Sequence, residues 1–255
     1  LNITDSRKFI KSVRKNPENF YLIHYSCQNL NDENEKLSPR ITSIAINHYA
    51  TGQSISFSTH SIAEELRIPR DQVLIKFDEV ELELLRQFYA FIRDRRDKYW
   101  VHWNMRNLTY GFEHLEHRYR ALGGTDACVI GVERRLNLND LIADRYGSNY
   151  AKHPKMLSLM ELNGGKHRDF LSGQEEVTAF ENKEFLRMHT STLSKIGFFS
   201  SVMRKLVNSN LKTASKGIGI TLDRLFESRA AKAIGFSGTV AGLLIALWNI
   251  FNITW

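Results

Sequence analysis

Cysteine is scarce in this chain: Cys27 and Cys128 are the only two among 255 residues. Two thiols make no disulfide framework, which fits a reducing compartment. An apolar leader is lacking too, since residues 1–20 are polar and carry both signs of charge. Several catalytic spacings are also missing. His114, Glu116 and His117 lie close together, but His-Leu-Glu-His is not the His-Glu-x-x-His of a zinc protease. Glu113 and His117, four apart, read as a solvated helix face. The loop "GGKHRD" at 164–169 lacks the glycine spacing and the Ser/Thr of a phosphate-binding loop. Residues 190–194 supply hydroxyls, with no Ser-His-Asp order among them. The overall composition is ordinary for a soluble core: 42% hydrophobic and 25% charged residues. The length suits one large domain, or one domain plus an appendage.

Acidic charge is thin in one place. The net charge is +7. Between Ser191 and Lys232 stand Lys195, Arg204, Lys205, Lys212, Lys216, Arg224, Arg229 and Lys232, opposed only by Asp223 and Glu227. A basic run of this kind suits nucleic acid or an anionic membrane surface. The neighbouring C-terminal run favours the membrane. From Ala233 to Trp255 no side chain is charged. A helix of that length, at about 1.5 Å per residue, covers the roughly 30 Å hydrocarbon core. Trp248 and Trp255 suit an interfacial belt. Gly238 and Gly242, four apart, suit close helix packing and self-association. The basic residues ahead of the span place the body in the cytoplasm and point the C-terminus outward. The expected location is therefore the inner membrane, with lipid as a partner. The alternative is a buried C-terminal core helix. Residues 211–229 mix Leu, Ile and Phe with Lys and Arg, as an interfacial or a plain linker helix would.

In the body, residues 20–26, 40–49 and 51–59 read as three strands, with a turn at Gly52. A short helix at 61–66 precedes Pro69. Residues 79–97 form a strong amphipathic helix with Leu84, Leu85, Phe88, Phe91 and Ile92 on one face. A strand at 98–103 and a helix at 108–122 come next, the helix ending before Gly123 and Gly124. From about Leu136 onward the chain reads mainly as helices, with 175–203 as two helices or one bent helix.

Three strands, a helix, a strand and a helix is the opening order of the ribonuclease H-like fold. More narrowly, residues 20–196 resemble the DEDD 3′–5′ exonuclease superfamily. There the first strand ends in Asp-x-Glu, a second Asp follows an Asn, and a late helix carries Tyr-x-x-x-Asp or His-x-x-x-x-Asp. The resemblance implies four carboxylates holding two divalent ions. Here "YLIHYSCQNL" puts His24 and Ser26 in the places of Asp and Glu. In "WVHWNMRNLTYGFEHL", Asn104 keeps the Asn, while Leu108 or Tyr110-Gly111 falls near the Asp. In "FLRMHTSTLSKI", Phe185 stands for Tyr and His189 for Asp. No metal carboxylate survives this alignment. Magnesium wants oxygen ligands, so neither a metal, a cofactor nor the usual exonuclease activity is expected. The rival is a zinc site built on His24 and His189, with His102 as an optional third ligand.

The expected fold class is α/β: a ribonuclease H-like mixed sheet with flanking helices, then a helical segment and one C-terminal transmembrane helix. The expected division is an exonuclease-like domain at 1–189, a basic linker at 190–232 and a span at 233–255. His24, Trp103, Asn104, Arg106, Tyr110 and His189 are the candidates for binding a nucleotide or nucleic-acid end, by stacking and hydrogen bonding. The bland alternative makes Trp103 and Phe112 core and Asn104 a cap. In outline, a recognition body joined to a membrane segment is similar to toxic effectors of bacterial antiviral abortive-infection systems. Such an effector acts as a homo-oligomer or with a partner protein. The other readings are a membrane-tethered nuclease and a passive tail-anchored scaffold.

Overall fold

A computed structural model describes residues 5–29, 38–106 and 108–215. The strands arise from β-branched and aromatic runs, and the first two, Phe20–Cys27 and Ile41–His48, are buried along nearly their whole length, as strands covered on both faces are. β1 (Phe20–Cys27), β2 (Ile41–His48), β3 (Ser54–Ser58), β4 (Tyr99–His102) and β5 (Arg135–Asn137) form one sheet in the order β3-β2-β1-β4-β5. β1 pairs antiparallel with β2 and parallel with β4. β2 pairs antiparallel with β3, and β4 parallel with β5. The sheet is therefore mixed, with β1 at its centre.

Helices cover both faces. α1 (Ser6–Lys15) starts at Asp5, whose side chain accepts from the Arg7 N–H. The later helices are α2 (Thr59–Glu65), α3 (Phe77–Arg93), α4 (Phe112–Ala121), α5 (Leu138–Tyr146), α6 (Lys155–Asn163), α7 (Gly173–Glu181) and α8 (Phe185–Val207). Alternation along the strands decides which side chains meet which helices. Ile23, Tyr25, Ile44, Ile46 and Trp100 pack in one core with Leu84, Phe88 and Ile92 of α3 and Leu115 of α4. Phe20, Leu22, Ala45 and Val101 pack in a second core with α1, α5 and Phe199, Val202 and Met203 of α8. At Ser26 the register of β1 against β2 shifts by a bulge, so Ser26 lies opposite Ser43 and Cys27 opposite Ile41. Both serines then face α8.

The early elements lie within a few residues of their expected bounds, α3 ending at Arg93 rather than at 97, and 175–203 divides into two helices, α7 and α8. Three expectations need correction. The helix expected from residue 108 begins at Phe112, because Arg106 bridges Gly111 across a loop and Gly111 is extended. β5 lies in a region whose sequence reads as mainly helical; three residues are too few to show a period. The expected division after residue 189 falls inside α8, which runs unbroken from Phe185 to Val207 against the sheet. Among the described residues no helix is long and apolar enough to cross a membrane. The run 233–255, with Gly238 and Gly242, lies outside them.

Candidate functional site: a polar seam between β1 and α8

α8 buries a stripe at helical spacing, including Thr192, Ile196, Phe199, Met203 and Leu206. Most of that stripe is apolar. Where it meets the end of β1 it is not. Ser26 Oγ donates to Glu176 Oε1 at 2.9 Å and lies 2.8 Å from Thr192 Oγ1. Lys195 Nζ donates to the same Glu176 oxygen at 2.6 Å, and Ser191 Oγ approaches it at 3.4 Å. Glu176 is 3% exposed and Lys195 5%. This is a buried ion pair, which holds only if its charges are matched and hydrogen-bonded. Ser191 also accepts from the Leu171 N–H at 3.0 Å, tying the loop before α7 to α8.

His24 lies one strand period before Ser26, on the same face. Its Nδ1 is 3.0 Å from Tyr110 Oη, and Tyr110 Oη donates to the Tyr25 carbonyl at 3.1 Å. The phenol has one proton to give, so His24 Nδ1–H donates to Tyr110 and Nε2 is the bare lone pair. That Nε2 is buried without a partner among the described residues, and the ring meets the Phe199 edge at 5.4 Å. Burial, helped by the Lys195 charge, holds the imidazole well below its ordinary range, so it is neutral.

His24 and Tyr110 are thus brought together. Trp103 joins them indirectly: it is buried and stacks on Phe199 at 5.7 Å between centroids. His189 is placed elsewhere, over β2 and β3. Its Nδ1 is 2.8 Å from Ser43 Oγ and its Nε2 is 3.4 Å from Ser56 Oγ. Asn104 and Arg106 belong to a separate surface network at the ends of β4 and β5. The Arg106 guanidinium donates to both Asp140 oxygens, at 2.9 and 3.2 Å, and to Asn104 Oδ1 at 3.1 Å. Three of its hydrogen bonds go to the protein itself, in a network that includes neither His24, Tyr110 nor His189.

The zinc alternative fails on geometry. His102 comes after Val101, which packs with Leu22 on the α8 side, so His102 faces the other way, against Phe112 at 5.6 Å. Its Nδ1 accepts from the Met105 N–H at 3.2 Å. His24, His102 and His189 therefore do not converge. Among the described residues, no three His, Cys, Asp or Glu side chains are grouped to hold a metal ion.

Sequence reasoning missed Glu176, Thr192 and Lys195. Lys195 sits one helical turn beyond Ser191 in the hydroxyl run of 190–194, and Glu176 is the carboxylate that answers it. The chemistry available here is limited. The seam has a serine and a lysine, but Glu176 holds the lysine and accepts from the serine. The hydrogen bonds of Ser26 Oγ go to Glu176 and Thr192, and none joins it to His24 among the described residues. Fold and seam together define a mixed α/β domain with a closed polar cluster at the end of its central strand. No protein-family model matches the chain, and a search of curated proteins finds no match.

Proposed function

We propose that this chain is a catalytically silent, exonuclease-like recognition domain of ribonuclease H-like fold, carrying a C-terminal membrane segment. Its role is that of a membrane-anchored sensor or effector, of the kind used in bacterial antiviral defence, with the body in the cytoplasm.

One observation carries the reading: Thr192, Lys195 and Phe199 of α8 meet His24 and Ser26 of β1. A two-metal exonuclease draws its carboxylates from the first strand and a late helix, so those two elements must touch. In this chain they touch, and the element order around them is three strands, helices, a strand and a helix. The residues at the contact suit a different purpose. The carboxylate at the contact comes from outside the aligned motifs, Glu176 of α7, and the Lys195 ammonium supplies the positive charge that a divalent ion supplies in the enzymes. A seam neutralised by its own lysine needs no metal to be stable.

The test is a nuclease assay on the intact chain with single-stranded DNA and RNA, in magnesium or manganese. The expected result is no release of terminal nucleotides under either metal. Release that disappears in Ser26→Ala and Glu176→Gln would sink the proposal and make the domain an enzyme.

A further inference from the structure

A cleft of about 720 Å³ lies between α2, the loop 166–171 and the first turn of α8. That volume falls within the roughly 300–1,000 Å³ of small-molecule sites. Its lining shares no residue with the His24–Tyr110 pair or the Ser26–Glu176–Lys195 cluster. The floor is apolar: Ile68, Val73, Phe170, Leu171 and Phe185 are buried there.

The rim is charged in both signs. Lys166 is 4.0 Å from Glu175, and Arg187 is 2.7 Å from Glu184. Arg70, Arg168 and Lys183 face solvent and make no ion pair among the described residues. The Glu64 and Asp169 carboxylates add acceptors to the same rim. Lys183 is informative in another way. It comes after α7 with φ of 60°, the left-handed position that glycine usually fills after a helix. A side chain is kept there at a conformational cost, and that side chain is a cation on the rim.

The ligand must therefore carry an apolar body, an anionic group and hydrogen-bond donors. A bare phosphate would leave the floor unused. A fatty acid has no donors for Glu64 and Asp169. We propose that this cleft binds a nucleotide. The phosphate lies against Arg70, Arg168 and Lys183, the base covers the apolar floor, and ribose hydroxyls or a base amino group donate to Glu64 or Asp169. The same chemistry is offered by a free nucleotide and by the end of a single strand. The site rests on its own lining; only its role as the sensing site rests on the recognition-domain reading.

The experiment uses the intact chain in detergent, with two probes: fluorescently labelled ATP and a labelled short oligoribonucleotide. The expected result is saturable binding of at least one probe, which tells the free nucleotide from the strand end. Arg70→Glu and Arg168→Glu should each weaken it about tenfold or more, whereas Arg106→Ala, outside the cleft, should not. Both rim arginines face solvent, so the variants should keep the parent's circular dichroism melting curve. No binding of either probe at about 1 mM, or binding that survives both charge reversals, overturns the proposal. So does displacement of the probe by inorganic phosphate at the concentration at which AMP displaces it, because the floor would then contribute nothing. None of these failures bears on the membrane segment, which is read separately by fractionation.

Discussion

At the scale of single residues, the molecule's unusual choice is to bury charge and imidazole where a core would be apolar. Lys195 exists for Glu176. Removing one partner leaves the other charged and unsolvated, which costs about 3–5 kcal/mol, whereas replacing both is far milder. Lys195→Met should therefore shift the urea midpoint strongly, and Lys195→Met with Glu176→Leu should recover most of the loss. A double variant that loses as much as Lys195→Met and Glu176→Leu added together would mean that the pair is not coupled. The histidines set a pH dependence. Burial pulls His102 down to about 3, and His114 and His189 to about 4. Their folded forms stay neutral while the unfolded chain takes up protons below about pH 6.5. Stability is thus complete above that value and is lost as pH falls from about 6.5 toward 4, by up to about 1.4 kcal/mol per pH unit for each histidine. Glu81, paired with Arg118 but pushed up by burial, works in the opposite direction. The check is the urea midpoint measured from pH 7.5 to 4.5. His114→Gln should flatten the slope, since His114 Nε2–H donates to the Pro39 carbonyl and an amide can replace it.

At the scale of elements, α8 joins the two halves of the domain. It starts beside α7, crosses β2 and β1, and ends where Arg14 of α1 donates to the Val207 carbonyl at 2.5 Å. Gly197 sits in its exposed flank, and a Cβ there meets nothing within 4 Å. Gly197→Ala should raise stability by about 0.5–1 kcal/mol, because alanine loses less backbone freedom on folding. Chemical denaturation measures this directly, and a loss of stability would mean that the glycine serves a close contact. Elements of this kind are legible in sequence because their pattern is long enough to read: the helical period of residues 79–97 announces α3, and the apolar run at 20–23 leading into polar residues announces β1. β5 has too few residues to repeat anything. The start of α4 is hard to read because "LTY" is as apolar as a helix start, and only the bridge from Arg106 to Gly111 excludes it. The site is half legible. His24 and Tyr110 stand out as polar side chains beside apolar runs. Glu176 and Lys195 are nineteen positions apart, and nothing in their local pattern says that they meet.

At the scale of the whole molecule, the basic run before the C-terminal segment must be divided. Lys195 is buried, and Lys205 Nζ donates to the Asn163 carbonyl at 2.6 Å. These cations belong to the body. The described chain is fastened at its end, where the Ala214 N–H donates to Tyr150 O and Ser215 Oγ to Tyr146 O, both at 2.7 Å. Lys216, Arg224, Arg229 and Lys232 come after that anchor. An anionic leaflet attracts each Lys or Arg near its surface by about 1 kcal/mol, so these four, opposed by Asp223 and Glu227, contribute only modestly. On the proposed reading, attachment depends mainly on the uncharged run 233–255. A chain ending at Arg229 should therefore leave the membrane fraction and lose any effect on growth. An intact chain with Arg224 and Arg229 changed to Gln should stay membrane-bound. Gly238→Leu should keep the chain in the membrane while abolishing toxicity, because it alters helix packing rather than apolarity. If the intact and shortened chains both remain in the supernatant and affect growth alike, residues 233–255 form part of a soluble core and the membrane reading is wrong.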